Sequence, residues 1–254
     1  MKVKSIVSYN LNGIRAAMKK DLVGWMKETG HDVFCFQETK AQEDQVDPAI
    51  FEEIGYKGYW VNAEKKGYSG VAVFSKIEPD QVIYESGLEL PDHEGRIIRA
   101  DFGDTTLLNC YFPSGTTGEE RQAIKYKFLD DFYDWTEELK KTRPKLIIVG
   151  DYNIAHTAMD IHNPKSKNSG FLPDERAWMT KWFESGFVDS FRYLNPEQIQ
   201  YSWWTYRFGA RKNNKGWRID YQSVTENMKS ELKACQNLND VHHSDHCPVL
   251  LEFK

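Results

Sequence analysis

The sequence predicts an α/β protein built from mixed or largely antiparallel sheets with helices outside them. Short runs rich in Val, Ile, Tyr and Phe, bounded by Gly, Asn, Asp or Pro, recur along the whole chain. Amphipathic helical patterns are fewer. Tight turns such as Gly103-Asp104 join some neighbouring runs, which antiparallel strands permit and parallel strands do not. A doubly wound nucleotide fold is thereby disfavoured.

Taken in order, strands are expected at residues 4–9 and 33–37, with a short amphipathic helix over 21–29 between them. Runs 71–75, 82–85, 96–102 and 106–112 follow, the last two facing each other across the Gly103-Asp104 turn. The strongest helical pattern covers 118–141, where Ile124, Phe128, Phe132, Trp135 and Leu139 fall on one stripe and Pro144 blocks continuation. A strand over 146–150, a helix over 174–184, and strands over 202–206, 219–224, 231–235 and 248–253 complete the pattern. The 254 residues show no linker, repeat or low-complexity segment, so a single domain over 1–254 is expected.

Composition excludes several classes. Forty per cent hydrophobic and 28% charged residues suit neither disorder nor a coiled coil. Apolar runs of about four residues are far short of the roughly twenty that span a bilayer, so no membrane association is expected. The first residues lead into a strand pattern with no secretion segment. Cys35, Cys110, Cys235 and Cys247 lack CxxC spacing, and the simple reading is reduced thiols in a cytoplasmic protein. The net charge of −5 argues against non-specific coating of nucleic acid. The charge is segregated, however: residues 202–219 carry Arg207, Arg211, Lys212, Lys215 and Arg218 and no acid. Interleaved with Trp203, Trp204 and Trp217, these bases combine a stacking wall with phosphate-binding cations.

Five strand ends bear a carboxylate, amide or imidazole. Asn10 and Asn12 follow the first run, Glu38 follows VFCFQ, and Asp151 and Asn153 follow LIIVG. Asp220 sits in WRIDY, and Asp245 and His246 precede the last strand. Each alone reads as a turn former or cap. Together they gather on one rim of a rigid scaffold, where function resides. Asp151 and Asn153 lie two apart and would share a face on an extended strand end. Ser244 next to Asp245 and His246 suggests half of a hydrolase triad, but no GxSxG elbow is present.

Seven motifs in order carry a resemblance: YNLNGIR from Tyr9, QETK from Gln37, YFPSG from Tyr111, GDYNIAH from Gly150, NSGF from Asn168, GWRIDY from Gly216 and SDHCP from Ser244. In these the chain resembles exonuclease III-type apurinic/apyrimidinic (AP) endonucleases of the endonuclease/exonuclease/phosphatase superfamily. The resemblance implies a four-layer α/β sandwich, two mixed sheets packed face to face with helices on both outsides. It also implies cleavage of the phosphodiester 5′ to abasic sites in double-stranded DNA, leaving a 3′-hydroxyl, with 3′→5′ exonuclease or 3′-end cleaning of blocked ends. A monomer is expected.

The same resemblance implies roles. Glu38 is the principal metal ligand, with Asn10 and Asp245 adjacent. Oxygen donors without a His/Cys cluster suit Mg²⁺ or Mn²⁺ rather than a structural zinc. Asp151 orients or deprotonates the attacking water, and Asn153 donates to a phosphate oxygen. Asp220 fixes the tautomer of His246, which contacts the scissile phosphate. Tyr111 is a phenolic donor and Asn168 an orienter. Trp203, Trp217 and Ile219 surround a flipped-out sugar lacking its base. Arg211 and Lys212 are expected to contribute phosphate-binding charge. Asn12 stands where some members carry Asp, so less negative charge reaches the metal. Superfamily relatives acting on phosphoinositides, sphingomyelin or general DNA should lack QETK and GWRIDY. A catalytically dead scaffold should lack Glu38, Asp151 or His246.

Overall fold

In the computed structural model, which describes residues 3–254, the run VFCFQ is buried on both faces. Val33 and Cys35 enter one apolar core, while Phe34 and Phe36 enter another. A strand with a pleat period of two and no polar face demands a layer on each side.

Among the described residues, twelve strands supply those layers: β1 (Ser5–Asn10), β2 (Val33–Gln37), β3 (Lys57–Val61), β4 (Val71–Ser75), β5 (Gln81–Ile83), β6 (Ile97–Phe102), β7 (Thr105–Tyr111), β8 (Lys145–Asp151), β9 (Phe187–Asp189), β10 (Asp220–Thr225), β11 (Leu232–Asn237) and β12 (Val249–Phe253). Seven α-helices accompany them: α1 (Ile14–Met18), α2 (Leu22–Thr29), α3 (Ala49–Glu52), α4 (Glu89–Glu94), α5 (Glu119–Thr142), α6 (Pro173–Glu184) and α7 (Ser190–Leu194). Two six-stranded sheets result, ordered β11-β12-β1-β2-β4-β3 and β5-β6-β7-β8-β10-β9. Each has one parallel pair, β1–β2 or β7–β8, bridged by helical crossovers; the remaining pairs are antiparallel.

The sheets face each other through Ile6, Val33, Val73, Ile98, Leu107, Val149 and Leu251 among others. Outside the first sheet, α1, α2 and α3 cover Val7, Phe34 and Phe74 with Ile14, Met26 and Phe51. Outside the second, α5 and α6 cover Leu108, Cys110 and Ile148 with Phe128, Phe132, Trp178 and Trp182. The fold is therefore a four-layer α/β sandwich. Polar staples cross the inner core near one rim: Asn109 Nδ2 donates to the carbonyls of Phe36 (3.0 Å) and Ala72 (2.9 Å), and Gln37 Nε2 donates to Asn109 Oδ1 (2.7 Å). These bonds fix one sheet against the other where the site forms.

Three expectations shift. The segment 202–206 is no strand: Trp203 exchanges backbone bonds with Trp217, then Trp204 N turns to the Asp245 carbonyl and the chain leaves the sheet. Strands β3 and β9 were not anticipated. The buried stripe of α5 runs through Lys125, Phe128, Leu129, Phe132 and Thr136, with Ile124, Trp135 and Leu139 at its margins. Among the described residues no helix is long and apolar enough to cross a membrane, and all four cysteines are free and buried.

Candidate active site

Strand register assembles the rim. The parallel β7–β8 pair sets Tyr111 beside Asp151, and the antiparallel β10–β8 pair sets Asp220 on its other side. In the opposite sheet β1 and β2 end together at Asn10 and Gln37, with Glu38 next in chain. Four non-glycine residues just past these ends adopt left-handed backbone: Asn12 (φ 48°), Glu38 (φ 54°), Lys40 (φ 50°) and Asn153 (φ 53°). Such conformations are uncommon and persist where surroundings over-determine them. Asn153 thus reaches Asp151 through a local turn rather than along an extended strand: its backbone N–H donates to Asp151 Oδ1 at 2.8 Å.

Asp151 and His246 form the buried floor, at 2% and 5% exposure. Asn10 Nδ2 donates to Asp151 Oδ2 at 2.8 Å, while Asn10 Oδ1 accepts from the Asn12 N–H. Asn10 therefore sits behind Asp151, holding it, and is fully buried. His246 Nδ1 lies 2.8 Å from Asp220 Oδ2, which also accepts from Ser202 Oγ at 2.6 Å. His246 Nε2 is 3.9 Å from Asp151 Oδ2, too far to hydrogen-bond, so both line the cavity with a free face. Burial and the neighbouring Asp220 charge raise the Asp151 carboxyl to about 7, against the opposing pull of His246. Burial alone would lower the His246 imidazole, but Asp220, with Asp151 and Asp245 behind it, lifts it to about 10.

The mouth of the cavity is ringed by oxygen donors. Lys40 Nζ lies 2.9 Å from Glu38 Oε1 and 2.6 Å from Asn12 Oδ1. Asn12 Nδ2 and Trp203 Nε1 both donate to Asp245, at 3.1 Å each. The Asp245 carboxyl is held low: burial opposes this, and the His246 charge with the Asn12 and Trp203 bonds outweighs it. The Lys40 ammonium thus bridges the Glu38 carboxylate and the Asn12 amide oxygen at this corner. The all-oxygen donor set fits a hard divalent ion held by few protein ligands. Asp151, Asp220 and His246 also bring ligand atoms within 4.8 Å of one another. Ser202 and His246 occupy Asp220 Oδ2, while Asp220 Oδ1 is buried without a hydrogen-bond partner, so the trio combines an imidazole–carboxylate pair with one unpartnered carboxylate oxygen beside Asp151.

The cavity itself is about 470 Å³ and is lined by Glu38, Tyr111, Asp151, Asn153, Asn168, Trp203, Trp217, Ile219, Asp245 and His246. Its apolar wall is the Trp203–Trp217 pair, rings edge to face at 6.1 Å, backed by Ile219, Phe171 and Ile161. Asn10 and Asp220 lie behind this lining. Arg211 and Lys212 lie apart from it. The Arg211 guanidinium instead donates to four carbonyls, those of Ser244 (3.1 Å), His246 (3.3 Å), Asn239 (2.9 Å) and Val241 (2.6 Å), and stacks on Trp204. Arg218, another base of that segment, is buried against Asp160 and Asp189. Two further residues, one lining the cavity and one behind it, had no role in the sequence reading. Lys40 lies inside QETK, and Lys125 occupies a core position of α5, where a lysine on an apolar stripe was the available signal.

Comparison with known proteins agrees with this geometry. A profile of the endonuclease/exonuclease/phosphatase family matches residues 7–246. An exodeoxyribonuclease of Bacillus subtilis (strain 168) is 44% identical over 97% of this chain and 98% of its own length. The DNA repair nuclease APEX1 of Danio rerio is 40% identical over 97% of this chain and 81% of its own. Among solved structures, an AP endonuclease from Archaeoglobus fulgidus superposes with a TM-score of 0.90 and 31% identity, covering 99% of both chains. The chain belongs to the endonuclease/exonuclease/phosphatase family, alongside its exodeoxyribonucleases and AP endonucleases.

Proposed function

We propose that the protein is a DNA repair phosphodiesterase that hydrolyses the bond 5′ to an abasic nucleotide, leaving a 3′-hydroxyl, and trims 3′ ends in the same cavity. The observation that carries this reading is the meeting, in one cavity, of the Asp151–His246 floor with the Trp203–Trp217–Ile219 wall. The floor suits phosphoryl chemistry. The wall suits a sugar stripped of its base, which has no stacking to lose on extrusion.

Asp151, raised toward neutrality and fixed by Asn10 and the Asn153 N–H, takes the proton of an attacking water. Imidazolium His246, the Tyr111 hydroxyl and the Asn153 amide donate to phosphoryl oxygens as negative charge develops there. Asp220 keeps His246 charged and oriented. A phosphodiester entering between Glu38, Asp151 and Asp245 meets three carboxylates. Glu38, with Asp245, would hold a divalent cation such as Mg²⁺ or Mn²⁺, which when bound would offset that repulsion and supply charge stabilisation to the departing 3′-oxygen.

A duplex carrying one tetrahydrofuran abasic analogue, with Mg²⁺ or with EDTA and beside an intact duplex, tests the reading. The expected result is a single cut at the analogue, abolished by EDTA and lowered by about 100-fold or more in Asp151→Asn. Equal cutting of both duplexes would remove the sugar pocket from the reading, and full activity in EDTA would remove the cation.

A further inference from the structure

Two loops that line the cavity are tied together from beneath by one buried ion pair. Lys125 and Glu175 are both completely buried, 2.5 Å apart. Lys125 Nζ also donates to the carbonyl of Asn153 at 2.8 Å, fixing the peptide plane that follows the left-handed Asn153. Glu175 Oε2 accepts from the backbone N–H of Gly170 (2.7 Å) and of Leu172 (2.9 Å), and Oε1 accepts from Gln122 Nε2 (3.1 Å) and Ser169 Oγ (3.4 Å). The loops themselves touch through the Ala155 N–H and the Gly170 carbonyl at 2.8 Å. Gly170 lies against the wall: a Cβ there would stand 2.9 Å from Trp217 Cζ3 and 3.1 Å from the Asn153 carbonyl oxygen.

We propose that the Lys125–Glu175 pair is a positioning unit that sets the distance between Asn153, loop 168–170 and Trp217, and thereby both phosphate alignment and the exclusion of nucleotides that retain a base. Neither residue touches the cavity. A buried ion pair is weak evidence for stability, because desolvation offsets much of the attraction. Here each charge instead makes directed bonds to the backbone of a different substrate-facing loop. Loosening those bonds by about an ångström is enough to misplace a donor at the reacting phosphate. This inference rests on the function proposed above.

The test compares the parent with Lys125→Met and with Lys125→Met/Glu175→Gln, measuring melting temperature, kcat and KM on the abasic-analogue duplex, and cutting of the intact duplex. The single variant leaves the Glu175 charge buried without its partner and is expected to melt lower. The double variant removes both charges and is expected to regain most of the melting temperature. Its kcat should nonetheless stay about 100-fold down, with KM changed far less, and its preference for the abasic duplex should shrink. A role in stability alone predicts that kcat and preference recover together with melting temperature, and that outcome overturns the proposal. Should neither variant accumulate as folded protein, Glu175→Gln is assayed well below its own melting temperature: lowered kcat with reduced preference supports the positioning unit, and parental kcat and preference overturn it. A parent that ignores the analogue overturns the proposed function along with this inference. A parent that cuts it while folded variants match its kcat and preference overturns only the inference.

Discussion

His246 departs far from its ordinary solution behaviour. Burial would neutralise it, yet Asp220 at 2.8 Å, with Asp151 and Asp245 nearby, lifts it to about 10. In the metal-free protein its ring resonances should therefore titrate near 10 rather than near about 6.5 by NMR. In Asp220→Asn the midpoint should fall to about 6.5 or below, since desolvation then stands less opposed, with activity down roughly 100-fold or more. An Asp220→Asn protein whose His246 still titrates near 10 would remove Asp220 as the source of its charge. The pairing was readable because Asp220 and His246 stood in strong motifs. Asn10 was harder. Its place after a strand pointed to the rim, but which way the amide faces depends on a turn that aims Oδ1 at the Asn12 N–H and Nδ2 at Asp151. Lone spacing could not reveal that it stands behind Asp151.

The segment from Ser202 to Ile219 shows how an element can be read correctly by composition and wrongly by shape. Its β-rich start suggested a strand, but only isolated bridges from Trp203 to Trp217 and to His246 form, and Trp204 N pairs with the Asp245 carbonyl. Its bases looked like one phosphate-binding patch. Arg218 is an internal strut, and Arg211 staples the chain around Ser244 and His246. The two neighbours Arg211 and Lys212 should therefore behave differently. Arg211→Ala leaves four carbonyls short of a charged donor and should cost roughly 2 kcal/mol or more, a melting shift of roughly 4–8 °C, with activity lost through displacement of His246. Lys212→Ala should leave the melting temperature within about 1 °C while lowering the slope of log K against log salt by about 1. Equal effects of the two on salt dependence would return Arg211 to the phosphate-binding role. Elsewhere legibility followed run length and composition. Val33–Gln37 and Val71–Ser75 each open with four consecutive apolar residues and were placed to the residue. Lys57–Val61 opens with Lys-Gly, and Phe187–Asp189 has only three residues, so neither stands out from a loop.

At the scale of the whole molecule, the sandwich is held near the site by buried polar bonds as well as by apolar contact, and this makes its stability respond to pH. Asp160 and Arg218 are almost fully buried; Arg218 Nε donates to Asp160 at 2.8 Å and its terminal nitrogen to Asp189 at 2.7 Å, while Arg192 adds a second contact to Asp160 at 2.9 Å. Burial pushes the Asp160 carboxyl up, but the Arg218 charge, the guanidinium bonds and Thr157 together hold it well below the ordinary carboxylate range. The network joins the loop after β8, the β9–α7 corner and the chain entering β10, just behind the Trp217–Ile219 wall. A carboxyl depressed in the folded state contributes stability that is fully present above its unfolded value of about 3.9 and is lost as pH falls toward the folded value. Urea midpoints should therefore fall between pH 6 and pH 3, partly through Asp160. Asp160→Asn should lower stability at pH 6 by about 3–5 kcal/mol, since it strips a buried guanidinium of one partner. The same variant should lose less than the parent on going from pH 6 to pH 3, because the group that would have taken up the proton is gone. Parallel pH curves for parent and variant would show that the acid sensitivity lies elsewhere in the fold.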